Sequence, residues 1–151
     1  MPVAGSGSKQ LAALAVRIKA AAPTGLRVQL LRGLKAGAAP LIPLVHDAAL
    51  AKLPHGGGLN EQVAGQKVTV SVRTGAKTAG VRLVTRAPDT KMTDSGFVRH
   101  LIYGRRGKWV TQKIPAAKGW WSDTLAKSAP AVTPALMAAM KTVSKQIQGG
   151  A

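Results

Sequence analysis

Three histidines, His46, His55 and His100, are the only side chains in this sequence that titrate near neutrality without a shift from their surroundings. Acid–base or metal chemistry would have to start from them. A zinc site needs three or four ligands with local pairs at short spacing, whereas the closest two histidines lie nine residues apart, at 46 and 55. Cysteine is absent, which removes thiolate ligands and disulfides. Paired-carboxylate catalysis would draw on five acids, Asp47, Glu61, Asp89, Asp94 and Asp123. Asp89 and Asp94 share one segment, but "PDT" and "TDSG" are ordinary turn compositions. There is no G-x-S-x-G nucleophile elbow. The glycine-punctuated "GLRVQLLRGLKAG" is neither a dinucleotide fingerprint nor a Walker loop. The sequence points away from an enzyme, and no catalytic residue, metal or cofactor is expected.

Charge is the more informative chemistry. Among 151 residues, 22 Lys and Arg face 5 Asp and Glu, giving a formal charge of +17 and a pI near 11.6. Such an excess speaks to partners rather than to fold. Most cations lack a counterion within the chain and must face water, nucleic acid or an acidic protein surface. In "VRHLIYGRRGKWVTQ", residues 98–112, Arg105, Arg106 and Lys108 cluster about a glycine-flanked turn. Such a turn is either simply solvated or presents guanidinium groups to phosphate or to an acidic neighbour. All five aromatic residues, Phe97, Tyr103, Trp109, Trp120 and Trp121, fall between positions 97 and 121. That clustering suits one small aromatic core better than stacking platforms spread along a groove. Trp109 is the expected packing anchor with Tyr103 beside it, and Trp120 and Trp121 complete the cluster.

The elements that must position these groups follow from periodicity. Ser8 caps a helix over about Lys9–Ala21 that stops at Pro23. Thr24 caps a longer stripe through Val28, Leu31, Leu34 or Lys35, Ala38, Ile42, Val45 and Ala49, bent at Pro40 and Pro43 and ending near Leu53. "PHGGG" opens a glycine-rich mobile loop over 54–66. "KVTVSVR" alternates strictly and pairs with "VRLVTR" in an antiparallel hairpin, with Lys67, Arg73, Arg82 and Arg86 on a basic face. "APDTKMTDSG" is a loop, and "FVRHLIY" with "KWVTQKI" forms a second hairpin about "GRRG". Ser122 or Asp123 caps a short turn that stops before Pro130. Thr133 and Pro134 then start a C-terminal helix to about Gln148, with Leu136, Met140, Val143 and Ile147 on one face.

The expected product is one α+β domain over 1–151: two N-terminal helices, the second long and kinked, about four antiparallel strands as two hairpins, and a C-terminal helix. Residues 1–8 are expected to be flexible and 149–151 frayed. Apolar residues make up 46% of the chain, much of it alanine, so the core should be thin. The first apolar run is broken by Arg17 and Lys19, against both a signal peptide and a membrane span, and a soluble, unexported protein is expected.

The order of these parts resembles the tailed-phage neck or tail-component family, related to the minor tail protein Z of lambdoid phages. The likeness runs from about Leu11 to Ile147 and is carried by Arg99, His100, Gly104, Trp109, Val110, Thr111, Gln112, Trp120 and Trp121. The family often has proline after the Arg-His pair, where this chain has Leu101. The resemblance implies a non-catalytic structural subunit of the head-to-tail connector. It implies assembly in a homo-oligomeric ring, sixfold or twelvefold, against head-closure, tail-terminator or tail-tube proteins. Its place would be the head-tail junction of the virion, reached from the host cytoplasm during assembly. Basic residues would line a channel carrying packaged DNA or meet acidic connector proteins; no membrane is involved. The alternative from charge alone is a non-catalytic, sequence-independent nucleic-acid-binding protein.

Overall fold

The structure is a computed structural model that describes residues 6–21, 24–75, 77–87 and 89–149. The Pro23 stop, the first five residues of the expected flexible start and the last two of the expected frayed end lie outside the described residues. In chain order the elements are α1 (Ser6–Ala21), α2 (Thr24–Ala38), α3 (Leu41–Lys52), α4 (Leu59–Ala64), β1 (Val68–Arg73), β2 (Gly80–Thr85), α5 (Thr90–Asp94), β3 (Phe97–Leu101), β4 (Trp109–Lys113) and α6 (Ser122–Gly149). Short 3-10 turns occupy Gly56–Gly58 and Pro115–Ala117. The fold is α+β, with β1–β2 and β3–β4 forming separate two-stranded sheets. The chain divides into two compact units, and each builds its own apolar core.

The first unit comprises the described residues of 1–42, Thr69–Val84 and 128–151. Its core joins Leu11, Leu14 and Ile18 of α1, Leu30 and Leu34 of α2, and Met140 and Val143 of α6, with Val72 and Val81 of the first hairpin packed against it. Helical spacing explains the α1 and α6 contributions directly. The expected stripe holds at Leu34, Ala38, Val45 and Ala49, all buried, and differs in the first turns of α2, where Leu30 is 1% exposed and Val28 is 53% exposed. Two glycines let α2 lie close to α6. A Cβ at Gly33 would sit 3.0 Å from the Cβ of Ala139, and one at Gly37 would sit 3.1 Å from Leu136 Cδ2. The glycine-punctuated segment is thus a helix face shaped for close approach to α6.

The prolines act differently in the two places where they occur. Pro40 ends α2: Ala39 N–H still reaches the Lys35 carbonyl at 3.0 Å, and Ile42 N–H restarts the ladder on Ala39 at 3.0 Å. Pro43 sits in the first turn of α3, where an N–H would have no intrahelical acceptor. In α6, by contrast, the expected break does not occur, and one helix of 28 residues runs through both Pro130 and Pro134. The carbonyls of Ala126 and Pro130 lose their i+4 donors, but both residues are exposed and water can replace the missing N–H. Thr133 does not cap a helix start; its hydroxyl donates back to the Ala129 carbonyl at 2.8 Å.

The second unit comprises Pro43–Val68 and Thr85–Lys127. Its core holds Ala49, Leu53, Val63, Ala87, Ile114, Ala117 and Trp120. Two segments expected to be irregular are ordered because they supply this core or its polar contacts. Most of the expected 54–66 loop is the 3-10 turn and α4, with Asn60 and Val63 buried. The segment before the second hairpin contains α5, whose Thr93 is 1% exposed and accepts a hydrogen bond from Trp120 Nε1 at 3.0 Å.

Candidate functional site

The β3–β4 hairpin stands on a rigid foot. Its ladder pairs Phe97 with Lys113, Val98 with Gln112, Arg99 with Thr111, His100 with Val110 and Leu101 with Trp109. Below the first pair, Ile114 N–H donates to the Gly96 carbonyl at 2.7 Å. Trp120 is 1% exposed, and Trp121 packs edge-on against it with ring centroids 5.6 Å apart at 70°. Asp94 ties the foot to α6: its Oδ1 accepts the N–H groups of Trp121 at 2.8 Å and Ser122 at 3.0 Å. A carboxylate at a helix N-terminus satisfies free donors and complements the helix dipole. Neither Ser122 nor Asp123, the caps expected from sequence, supplies that contact.

The far end of the hairpin is built from two successive turns. Arg105 N–H donates to the Ile102 carbonyl at 3.1 Å, Lys108 N–H to the Arg105 carbonyl at 3.4 Å, and Ile102 N–H to the Lys108 carbonyl at 3.0 Å. Gly104 and Gly107 hold the third position of each turn at φ 75° and 77°, a region that side chains disfavour. The two glycines of "GRRG" thus supply the positive φ that each turn uses. They leave Arg105, Arg106 and Lys108 exposed, and Tyr103 is as exposed as in an extended chain, at 102%.

One aromatic expectation is overturned here. Trp109 is 52% exposed and does not anchor a core, and Tyr103 has no packing role. The register supplies the reason: Trp109 lies opposite Leu101 at the distal end of the ladder, while Ile114 and Trp120 build the core at the proximal end. Directly opposed residues share a face of an antiparallel pair, so Phe97, Arg99, Leu101, Trp109, Thr111 and Lys113 project together. On that face the Arg99 guanidinium carbon lies 5.3 Å from the centre of the Trp109 ring, within cation–π range. Leu101 beside them is 50% exposed. Of the other two expected anchors, Trp120 is buried in the core of this unit and Trp121 is half-buried against it.

Five cations, Arg99, Arg105, Arg106, Lys108 and Lys113, lie between 97 and 113, with no acid in that interval. Among the described residues no ion pair joins a Lys or Arg to an acid. The nearest preceding acid, Asp94, is occupied by backbone donors. The hairpin tip is thus a cationic, partly aromatic projection without an internal counterion, suited to a polyanion. In the first hairpin Arg73 and Arg82 are also exposed, and Arg82 alternates with half-buried Val81 and Leu83. Lys67 and Arg86, exposed at the strand ends, are joined by Arg86 N–H donating to the Lys67 carbonyl at 3.4 Å.

The histidines do not converge on a site. His55 Nε2 donates to the Leu50 carbonyl at 3.0 Å, and His100 Nδ1 to the Leu101 carbonyl at 3.1 Å. His46 Nε2 is buried without a partner. Among the described residues no group of three or more His, Cys, Asp or Glu could hold a metal ion, and no helix is long and apolar enough to cross a membrane. No protein-family model, curated protein or solved structure matches the chain.

Proposed function

We propose that this chain is a non-catalytic structural subunit of the head-to-tail connector of a tailed phage, joining tail to DNA-filled capsid as one member of a homo-oligomeric ring. The observation that supports this reading is where the resembling residues fall. Arg99, His100, Gly104 and Trp109 through Gln112 lie in the second hairpin, and Trp120 and Trp121 lie in its foot. They compose one hairpin and the base on which it stands.

Surface composition also favours assembly. Val16, Val28 and Met137 of the first unit and Leu44, Leu50 and Leu101 of the second are at least 40% exposed. In the first unit an open groove between α1 and α6 is lined by Leu14, Met137 and Met140 together with Arg17, Lys141 and Lys145. Two thin cores in a small chain gain stability by burying such surface against copies or partners. Head-closure, tail-terminator and tail-tube proteins are the proposed neighbours, in a sixfold or twelvefold ring at the head-tail junction of the virion after synthesis in the host cytoplasm.

Light scattering and negative-stain electron microscopy test this, on the chain alone and co-expressed with the proteins encoded beside it. Closed rings of identical copies, or a defined complex with a head or tail protein, are expected. A chain that stays monomeric at every concentration and binds none of those proteins would contradict the proposal.

A further inference from the structure

We infer that the β3–β4 hairpin is a single-strand nucleic-acid arm, with Arg105, Arg106 and Lys108 on the phosphates and the rings of Tyr103 and Trp109 against unpaired bases. The inference stands apart from the connector proposal and rests on this hairpin alone.

The first argument is charge. Five cations without an acid over residues 97–113 call for a polyanion. They also oppose a second copy of the same face, because a self-complementary contact would set these like charges against one another. The second argument is the aromatic pair. Residues 102% and 52% exposed, at and next to the tip, leave ring surface open that a folded chain would ordinarily cover. An acidic protein surface would use the cations and cover the rings only where apolar side chains interrupt its charge. Nucleic acid uses both: phosphate meets guanidinium, and every base offers a π face. A paired duplex offers its phosphates but keeps its base faces stacked, so the rings favour a single strand. The third argument is preorganisation. Arg99 lies over Trp109 at 5.3 Å and holds a cation against the ring, and three backbone hydrogen bonds close the two turns of the tip.

The test is fluorescence anisotropy of the full chain with a labelled oligothymidylate, its duplex with oligoadenylate, and polyglutamate as a competitor. Intrinsic tryptophan emission is read in parallel. Trp120 is buried and Trp121 half-buried, so quenching by bound bases reports chiefly on Trp109. Oligothymidylate should bind with strong salt dependence and quench emission. Trp109→Ala and Tyr103→Ala should each weaken binding about 5-fold or more. Arg105→Glu with Arg106→Glu should weaken it further and flatten its salt dependence. Near-ultraviolet circular dichroism from Trp120 and Trp121 confirms that each variant keeps its foot. Tighter binding to the duplex, displacement by polyglutamate at equal charge, or affinity unchanged in both aromatic variants would overturn the inference.

Discussion

Asp94 caps a helix to which it does not belong: its Oδ1 accepts the N–H of Trp121 at 2.8 Å, across 27 residues of sequence. Its own carbonyl accepts Gly119 N–H at 2.8 Å, so one residue fixes both the approach to α6 and its first turn. Asp94→Ala should lower stability by about 1–2 kcal/mol, the usual cost of losing a helix cap. Asp94→Asn, which keeps an oxygen acceptor, should lose clearly less. Urea unfolding of the two variants checks the order, and equal losses would show that the carboxylate oxygen is not the cap.

The Thr93 hydroxyl oxygen accepts the Trp120 indole N–H at 3.0 Å. Thr93→Val preserves shape but strands that donor in a site 1% exposed, at an expected cost of about 1–3 kcal/mol. Thr93→Ser keeps the acceptor and should recover most of the loss. Thermal unfolding followed by tryptophan fluorescence distinguishes them.

The close approach of α2 to α6 makes a contrast between two positions one face apart. Gly33→Val should destabilise by about 1–3 kcal/mol, because the new side chain meets Ala139 where no space remains. Val28→Ala, at a residue 53% exposed, should stay within about 0.5 kcal/mol of the parent. Denaturant midpoints for the two variants check this, and a reversed order would restore the stripe through Val28.

Much of this fold is legible in the sequence, and the exceptions share a cause. Periodicity and turn chemistry locate α1, α2 and both hairpins because those signals are local: Leu11, Leu14 and Ile18 mark α1, and "GRRG" marks the tip, whereas α4 and α5 lie in segments that read as loops. What sequence does not carry is which distant group meets an element. Ser122 looks like a cap from its position alone, yet Asp94 reaches the helix end first in three dimensions. Pro130 and Pro134 look like breaks, yet the first unit's core draws Met140 and Val143 from the same unbroken helix. Trp109 looks like a core residue because all the aromatic residues are close in sequence. Register then separates them, placing Trp120 at the foot and Trp109 near the tip. The basic tip of the candidate site was legible; the exposed rings beside it were not.

Turn geometry at the tip gives a local prediction. Gly104→Ala and Gly107→Ala each force a side chain to positive φ, at a cost of roughly 1–2 kcal/mol. The effect should appear as faster amide exchange at Ile102 and Lys108, which close the loop, with Trp120 emission and its surroundings unchanged. Protection retained at Ile102 in both variants would show that the turns tolerate a side chain.

The connector proposal is tested most directly by electron microscopy of particles made when the gene for this chain is deleted from its phage. DNA-filled heads and separate tails should accumulate, and supplying the chain in trans should restore joined particles. Normal yields of joined, infectious particles without the chain would contradict the proposal.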